Sequence, residues 1–518
     1  MYLLAFPYHP GLHSPNELCR LMQTRAIVDF GDLDLNRAMQ VYGPVGDLAV
    51  YRGRYYPSKA PLMSFAAVPI YFGLRTMLGK DSRAVSELTL VYFTRLFLTV
   101  LPTLFALLWI RRFLVTYVSP PTADAITLTY GLGTLAFSYS LLFMSHQPSA
   151  VLLFAAFYGL WRWSRSEWPE LGLLACGALA GASVLAEYTT AIAVLGLGLF
   201  GVLTWRRRRE KPLALVRASS LFLAGAFPML LLLMWYHAQA FGGPLESGYR
   251  HLADVAYQPW HQGGFLGVGL PKARAFLLSF FSPLRGLFAL SPGLLLAGPG
   301  LLLLFRRARN NLDLGPVAWT TAAIALAYAY FTSAFSYESW GWTTGPRHLT
   351  ALVPFLLLPA AFALERARAT SFRGPCAVLL AASVLVTSAL TFVNYIPDDV
   401  SNAVGALAIP LTRVGDLTPS VLCALGLANP IAGAILWLGV AAGVAWLLWS
   451  LRPQASAPAW AATLCTAAAL CGFQALTYRG SPSDRAALTL LRRVWLAPPG
   501  HTFALLTPGL DALKGRVR

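Results

Sequence analysis

Four consecutive arginines stand directly before a long apolar run in segment 205–240, which reads WRRRREKPLALVRASSLFLAGAFPMLLLLMWYHAQA. The part from 214 to 240 contains one charged residue, Arg217. As a helix, it is long enough to cross the roughly 30 Å of hydrocarbon in a bilayer. Basic residues beside a membrane-spanning helix retain that end in the cytoplasm. This stretch therefore predicts both a spanning helix and its orientation.

The rest of the chain has the same character. Of its 518 residues, 57% are hydrophobic and 12% are charged, whereas soluble globular proteins have about 25% charged residues. The mean hydropathy is +0.58. Apolar segments of spanning length recur at 87–110, 123–144, 147–163, 170–186, 189–205, 214–240, 286–305, 316–335, 347–364, 374–394, 429–450 and 458–476. The predicted fold class is an all-α polytopic membrane protein with about twelve spans.

The formal net charge of +18 arises largely from short basic clusters at the ends of these segments. The clusters lie at 111–112, 162–165, 206–211, 306–309 and 366–373. This distribution is typical of cytoplasmic loops, and we expect no nucleic-acid partner. One orientation places every cluster inside.

That orientation divides the chain into three predicted regions. Residues 1–86 form an outer first loop with juxtamembrane helices, 87–476 form the transmembrane bundle, and 477–518 form a short outer tail. The loops 241–285, 336–346 and 395–428 also lie outside. We expect a multi-pass protein of the cell inner (plasma) membrane, in contact with membrane lipids.

The apolar segment 61–78 begins outside in this orientation, as does span 87–110. We therefore interpret it as a juxtamembrane or re-entrant helix at the outer interface. The alternative is an ordinary span, which would leave Arg111 and Arg112 outside. The apolar piece 1–6 is too short to span or to act as a signal peptide, so we expect a first helix upstream of it.

Glu17 is the strongest catalytic candidate in the first loop. A carboxylate at a membrane–water boundary can act as general base toward a hydroxyl or an amine. The alternative is structural, because segment 14–17 (Ser-Pro-Asn-Glu) also has the pattern of a helix N-terminus. Asp29, Asp32 and Asp34 could hold a divalent cation, or could form a solvated turn. No cofactor is firmly predicted.

Two cations stand where the chain meets the predicted membrane surface. Lys59 lies between Pro57 and Pro61, which stiffen the backbone around it. It can hold a phosphate as a point charge, or it can simply reach lipid headgroups. Arg347 begins a span on the outer side, against the pattern of the other clusters. It can clamp a phosphate through two hydrogen bonds, or it is an exception in topology.

Further ionisable side chains lie at membrane depth near the outer face. His146 and the pair Glu187-Tyr188 occupy very short turns between spans, and Glu338 lies in loop 336–346. Ionisable groups in such places are functional candidates by default, and we assign them to substrate binding. For His146, a hydrogen-bonded structural role is the alternative. The outer histidines are dispersed along the chain, so no metal site is predicted.

These motifs resemble the GT-C superfamily of membrane glycosyltransferases, especially the family 39-like bacterial relatives of protein O-mannosyltransferases and aminoarabinose transferases. Asn16-Glu17 stands at the family's acidic position, where Asp is common. Segment 59–62 (Lys-Ala-Pro-Leu) resembles the family's Lys-Pro-Pro-Leu element, with Ala in place of the first Pro. Segment 86–96, with Arg95, is similar to the start of the following span. Segment 340–348 resembles a Trp-rich segment that ends in Gly-Pro-Arg-His.

The resemblance implies a GT-C-like bundle that transfers a sugar from a polyprenyl-phosphate donor to an acceptor on the outer face. Glu17 would take the acceptor proton, and Lys59 and Arg347 would stabilise the departing lipid phosphate. The acceptor, whether lipid, glycan or protein, is not specified by the sequence, and neither is the sugar. The alternative is a transporter or flippase of lipid-linked sugars. Such proteins often contain internal repeats and broken helices, and we detect no repeat in the sequence.

Overall fold

The computed structural model describes residues 1–7, 14–79, 85–264, 267–336 and 341–496. The protein is 73% helical, which agrees with the predicted all-α polytopic class. Among the described residues, seven helices are long and apolar enough to cross a membrane. They are Glu87–Val115, Tyr188–Arg208, Pro212–Phe241, Leu314–Ala334, Arg373–Val393, Asn429–Ser450 and Ala457–Thr477. The larger number of about twelve spans stays a prediction.

The N-terminal region combines helices with one hairpin. Its elements are α1 (Pro15–Phe30), α2 (Asn36–Tyr42), β1 (Leu48–Tyr51), β2 (Arg54–Pro57) and α3 (Leu62–Leu78). Helix α1 begins after Ser14 with a proline in its first turn, and it ends at Gly31 in the left-handed conformation (φ 71°). Segment 61–78 thus forms helix α3, which packs against α1 through Met63, Tyr71 and Leu21.

The hairpin β1–β2 differs from the prediction of helices alone in the first loop. The two strands pair in antiparallel register from Leu48↔Pro57 to Tyr51↔Arg54. Arg52 and Gly53 form the turn, both with positive φ (49° and 76°). A two-residue turn of this kind matches the twist of antiparallel strands. The hairpin therefore holds the residues just before β1 close to those just after β2.

The first half of the bundle contains eight helices. They are α4 (Glu87–Arg95), α5 (Leu101–Val115), α6 (Pro120–Gly133), α7 (Leu135–Ser140), α8 (His146–Ser164), α9 (Gly172–Ala186), α10 (Ala191–Arg208) and α11 (Pro212–Phe241). A π-helical turn, Leu96–Val100, joins α4 and α5 into one continuous 29-residue helix. The basic ends of α5, α8 and α10 agree with the predicted arginine clusters.

Twelve further helices follow α11 among the described residues, and the last of them, α23, lies in the predicted outer tail. They are α12 (Gln258–Gln262), α13 (Ala273–Phe281), α14 (Leu287–Leu290), α15 (Ala297–Asn310), α16 (Leu314–Ala334), α17 (Val353–Ala367), α18 (Arg373–Val393), α19 (Ile409–Val414), α20 (Val421–Ala424), α21 (Asn429–Ser450), α22 (Ala457–Thr477) and α23 (Pro482–Leu496). Helix α18 lies centrally and contacts α6, α21 and α22.

Three segments predicted as single spans are interrupted. Segment 123–144 breaks at Thr134, whose backbone is extended between α6 and α7. Segments 286–305 and 347–364 each contain a 3₁₀ turn, at Pro292–Leu296 and Arg347–Ala351. An interrupted helix frees backbone groups that a membrane protein must satisfy internally. The Gly293 N–H accordingly donates to Ser383 Oγ at 2.7 Å.

Helices α9 and α11 approach each other unusually closely, because glycines face the contact from both sides. A Cβ atom on Gly177 would lie 1.8 Å from the Phe222 carbonyl oxygen, and one on Gly225 would lie 1.9 Å from that of Leu174. Small residues allow this close backbone approach in membrane helices. The contact fixes the end of α9, and hence Glu187, relative to α11.

Candidate functional site

A cavity of about 1530 Å³ lies between the N-terminal region and the bundle. One part of its lining is polar and is formed by Asp47, Lys59, Glu187, Tyr249, Arg347 and His348. Another part is apolar and is formed by Ile192, Leu230, Leu233, Met234 and Phe331. The same cavity therefore offers charged groups and a hydrocarbon-like wall.

The apolar wall extends to the outside of the bundle along α11. Leu230 and Met234 both line the cavity, yet each is 38% exposed. Their neighbours Phe227 and Leu231 on the same helix are also exposed. Because α11 is long and apolar enough to span a membrane, this exposed face would contact lipid. An apolar chain could thus reach the cavity sideways from the bilayer.

Lys59 and Asp47 form the first charged group of the cavity. The hairpin brings them together, because the Ser58 N–H donates to the Asp47 carbonyl at 3.0 Å where the strands close. Lys59 Nζ lies 3.5 Å from Asp47 Oδ2 and 5.4 Å from the centre of the Tyr249 ring. Asp47 itself has a left-handed backbone (φ 58°), which short polar residues tolerate better than most.

The charge of Lys59 is maintained by these neighbours. Burial disfavours its ammonium form, but the Asp47 carboxylate and Tyr249 outweigh burial and raise the pKa of Lys59. The Arg347 guanidinium, which also lines the cavity, acts in the opposite direction. The sequence-predicted cations Lys59 and Arg347 therefore do meet in one cavity. A cationic pair near an apolar wall suits an anionic group on an apolar chain.

A second group gathers around Glu187, at the end of α9. Its Oε2 accepts a hydrogen bond from Ser145 Oγ at 2.8 Å and lies 3.2 Å from His146 Nδ1. Its Oε1 lies 3.9 Å from Nδ1 of His348. Arg20 donates to Ser145 Oγ at 3.1 Å, so α1 supports this group. Two histidines that are about two hundred residues apart thus face one carboxylate.

Glu17 lies outside the cavity. Its side chain is fully buried, as is that of Arg95. Arg95 donates to both carboxylate oxygens, through Nη2 at 2.8 Å and 3.0 Å and through Nε at 3.0 Å. The Phe143 N–H and the Tyr395 hydroxyl also donate to Glu17. The carboxylate is therefore saturated by protein donors, and the neighbouring Ser14, Pro15 and Asn16 line the cavity instead.

The remaining sequence candidates fall in different places. Tyr188 lines the cavity, and its hydroxyl is 3.0 Å from His237 Nε2. Glu338 lies outside the described residues.

The acidic turn predicted as a possible cation site is divided among separate partners. Asp29 accepts from Tyr42 and Arg75, Asp32 pairs with Arg37, and Asp34 pairs with Arg54.

The site residues assigned from the sequence did not include Asp47, Tyr249 or His261, all of which line the cavity. The ring of His261 stacks on Tyr249 with centroids 4.6 Å apart, and burial followed by the charges of Lys59 and Arg347 lowers its pKa to about 4. The signal for Asp47 was present. A Gly at 53 between two runs rich in Val and Tyr predicts a hairpin. Asp47 stands just before the first strand of this hairpin, and Lys59 stands two residues after the second. No comparable local signal relates Tyr249 to Lys59.

Comparisons with known proteins give no relative. No family model, no curated protein and no solved structure matches this chain. The likeness to GT-C glycosyltransferases therefore rests on short motifs alone.

Proposed function

We propose that this chain is an integral membrane glycosyltransferase, which transfers a sugar from a polyprenyl-phosphate donor to an acceptor at the cavity. One observation carries the proposal. Lys59 and Arg347 line the same cavity as the apolar side chains Leu230 and Met234, which reach the outer face of α11. A lipid-linked sugar has matching parts: an apolar chain, an anionic phosphate and a polar sugar.

In the proposed reaction, the acceptor oxygen or nitrogen bonds to the anomeric carbon of the sugar. The bond between that carbon and the phosphate oxygen breaks, and its electron pair leaves with the polyprenyl phosphate. Negative charge grows on the phosphate as the bond breaks, so fixed cations aimed at it lower the barrier. Lys59 and Arg347 are assigned this role.

The acceptor proton requires a base that the substrate can reach. Glu17, which the motif resemblance implies, is enclosed by Arg95 and other donors. Asp47 is more suitable, because it lines the cavity and its side chain is 37% exposed. We assign the proton to the Asp47 carboxylate. A carboxylate suffices, since the transition state of glycosyl transfer resembles an oxocarbenium ion and the attacking O–H becomes acidic as its oxygen bonds to carbon.

The test uses purified protein in liposomes with a panel of polyprenyl phosphates carrying radiolabelled hexose or pentose, and a bacterial envelope extract as the acceptor source. Release of polyprenyl phosphate and transfer of label are measured together. Lys59→Ala and Arg347→Ala should lower the rate by about 10²- to 10³-fold. Asp47→Asn should lower it by about 10²-fold or more.

Arg274→Ala is the matched control, because Arg274 is an exposed cation outside the cavity and its loss should leave the rate unchanged. Undiminished transfer in all three cavity variants would overturn the residue assignment. Movement of labelled donor between leaflets, with no release of polyprenyl phosphate by any panel member, would favour a transporter or flippase.

A further inference from the structure

Three potential metal ligands converge at the edge of the cavity. His146 is the first residue of α8, Glu187 follows α9, and His348 lies in the 3₁₀ turn before α17. Their nearest ligand atoms all lie within 4.8 Å of one another. The ring centroids of the two histidines are 5.5 Å apart, with nearly perpendicular planes. Among the described residues, this is the one cluster of three or more such side chains with this spacing.

We infer that His146, Glu187 and His348 form a binding site for a divalent transition-metal ion of the Zn²⁺ type. Two imidazoles and one carboxylate are a ligand set that zinc uses when a further position stays open. Zinc–ligand bonds of about 2.0–2.2 Å place ligand atoms about 3.3 Å apart. The atoms here need to close by about 1.5 Å at most to bind such an ion. This inference does not rest on the proposed transferase activity.

The state of His146 is the second observation that points to an ion. This side chain is 4% exposed, and its Nδ1 faces the Glu187 carboxylate at 3.2 Å. Its other ring nitrogen, Nε2, makes no hydrogen bond with the described residues. Buried polar nitrogens are nearly always partnered in native proteins. An ion bound by the imidazole would supply a partner for a buried ring nitrogen that otherwise has none.

The Glu187 carboxylate is also oriented by hydrogen bonds from neighbouring side chains, as is usual for metal ligands. Ser145 Oγ donates to Glu187 at 2.8 Å, and Arg20 donates to Ser145 at 3.1 Å. The other donors of Arg20 bond to Asn16 and to the Ala60 carbonyl. Arg20 therefore serves as a support, with its donors directed at the protein.

The site would leave one side of the ion accessible. Glu187 and His348 line the cavity, whereas His146 lies behind them. A fourth ligand could therefore enter from the cavity. Arg347, which is the immediate neighbour of His348, also lines the cavity. An anionic fourth ligand, such as a phosphate oxygen, could therefore pair with that guanidinium as well as with the ion.

The experiment measures metal directly and needs no glycosyl donor. The full chain, purified in detergent with an affinity tag that contains no histidine, is loaded with Zn²⁺ and passed through gel filtration, and zinc per chain is measured by mass spectrometry. We expect about one ion per chain in the wild type. Glu187→Gln, His146→Gln and His348→Gln should each lower this occupancy at least fivefold.

His261→Gln is the control, because His261 also lines the cavity but lies outside the cluster and its loss should leave the occupancy unchanged. X-ray absorption at the zinc edge of the wild type supplies a readout that does not depend on the folding of variants. A coordination shell with two imidazoles supports the site. A shell with sulfur, a shell of oxygen alone, or a wild type that retains no zinc overturns it. A wild type that retains zinc with this coordination shell but transfers no sugar from any donor of the panel would contradict the proposed function and leave this site standing.

Discussion

The Glu17 carboxylate and the Arg95 guanidinium form a bidentate ion pair in which both side chains are fully buried. The pair joins α1 to α4 across 78 positions of sequence. Arg95 also donates to the Pro7 carbonyl, so it holds that residue beside α4. This pair therefore anchors the N-terminal region to the first long helix of the bundle.

Glu17→Gln should destabilise the protein, because it leaves Arg95 as a buried charge without its counter-ion. Breaking a buried pair on one side costs about 3–5 kcal/mol of unfolding free energy. The measurement is thermal or denaturant unfolding in detergent, compared with Glu167→Gln. Glu167 pairs with Arg165 at an exposed position (39% exposed), where the expected cost is at most about 1 kcal/mol. Equal stability of Glu17→Gln and the wild type would contradict the anchoring role.

The same residue shows why the site could be predicted only in part. The sequence pattern correctly indicates a helix that begins near Ser14 and carries an acidic first turn. It contains no information that Arg95, which lies in a different helix, fills both oxygens of Glu17. An isolated carboxylate with a catalytic appearance and one with a buried partner have the same local sequence. Only the tertiary contact distinguishes them.

The length of an apolar segment predicts whether that segment forms a helix of the bundle, because this length can be read from the segment alone. It does not predict where such a helix is interrupted. Segment 123–144 is apolar enough overall to be predicted as one span, yet it breaks at Thr134, where the backbone is extended. In α7, after the break, Tyr139 donates to the Thr344 carbonyl at 2.8 Å. The convergence of His146 and His348 is likewise a tertiary feature that one segment alone does not encode. It follows from how α8 and the 3₁₀ turn at 347–351 pack, which no spacing along the chain expresses.

Asp47→Asn should make anion binding in the cavity more sensitive to alkaline pH. Asp47 raises the pKa of Lys59 against burial and the Arg347 charge, so in the wild type Lys59 stays protonated until pH exceeds its already high ordinary value. Without Asp47, burial and the Arg347 charge are opposed by fewer groups, so the pKa of Lys59 is lower than in the wild type and its charge is lost at a lower pH.

Binding of polyprenyl phosphate, measured between pH 7 and pH 10, should therefore weaken at a lower pH in Asp47→Asn than in the wild type. Asp254→Asn serves as a control, because Asp254 also lines the cavity but is not among the groups that shift the pKa of Lys59. Identical pH profiles for Asp47→Asn and the wild type would contradict the coupling.

His261 should contribute to acid sensitivity through its lowered pKa. Burial and the nearby cations bring this pKa to about 4, below the value of about 6.5 in an unfolded chain. The unfolded state then binds more protons, so the contribution of His261 to stability is complete above pH 6.5 and is lost as pH falls toward 4.

His261→Phe keeps the aromatic contact with Tyr249 and removes the titration. Its unfolding free energy should fall less between pH 7 and pH 5 than that of the wild type. His251→Phe, at a histidine that also stacks on an aromatic ring, controls for the change of residue type. A fall as steep in His261→Phe as in the wild type would exclude this titration as a source of acid sensitivity.

Gly177→Ala should separate α9 from α11 and disturb the cavity at a distance. The new Cβ would lie 1.8 Å from the Phe222 carbonyl oxygen, a backbone atom that cannot move aside without shifting α11. Overpacking of this kind costs about 1–3 kcal/mol or more. Gly198→Ala is the matched control on α10, because a Cβ there meets nothing within 4 Å and alanine favours a helix by about 1 kcal/mol over glycine. The temperature of thermal unfolding should therefore fall for Gly177→Ala and stay level or rise for Gly198→Ala.

Since α9 carries Glu187 at its end, zinc occupancy should also fall in Gly177→Ala. A variant that unfolds earlier yet keeps full zinc occupancy would show that the position of Glu187 does not depend on this helix contact.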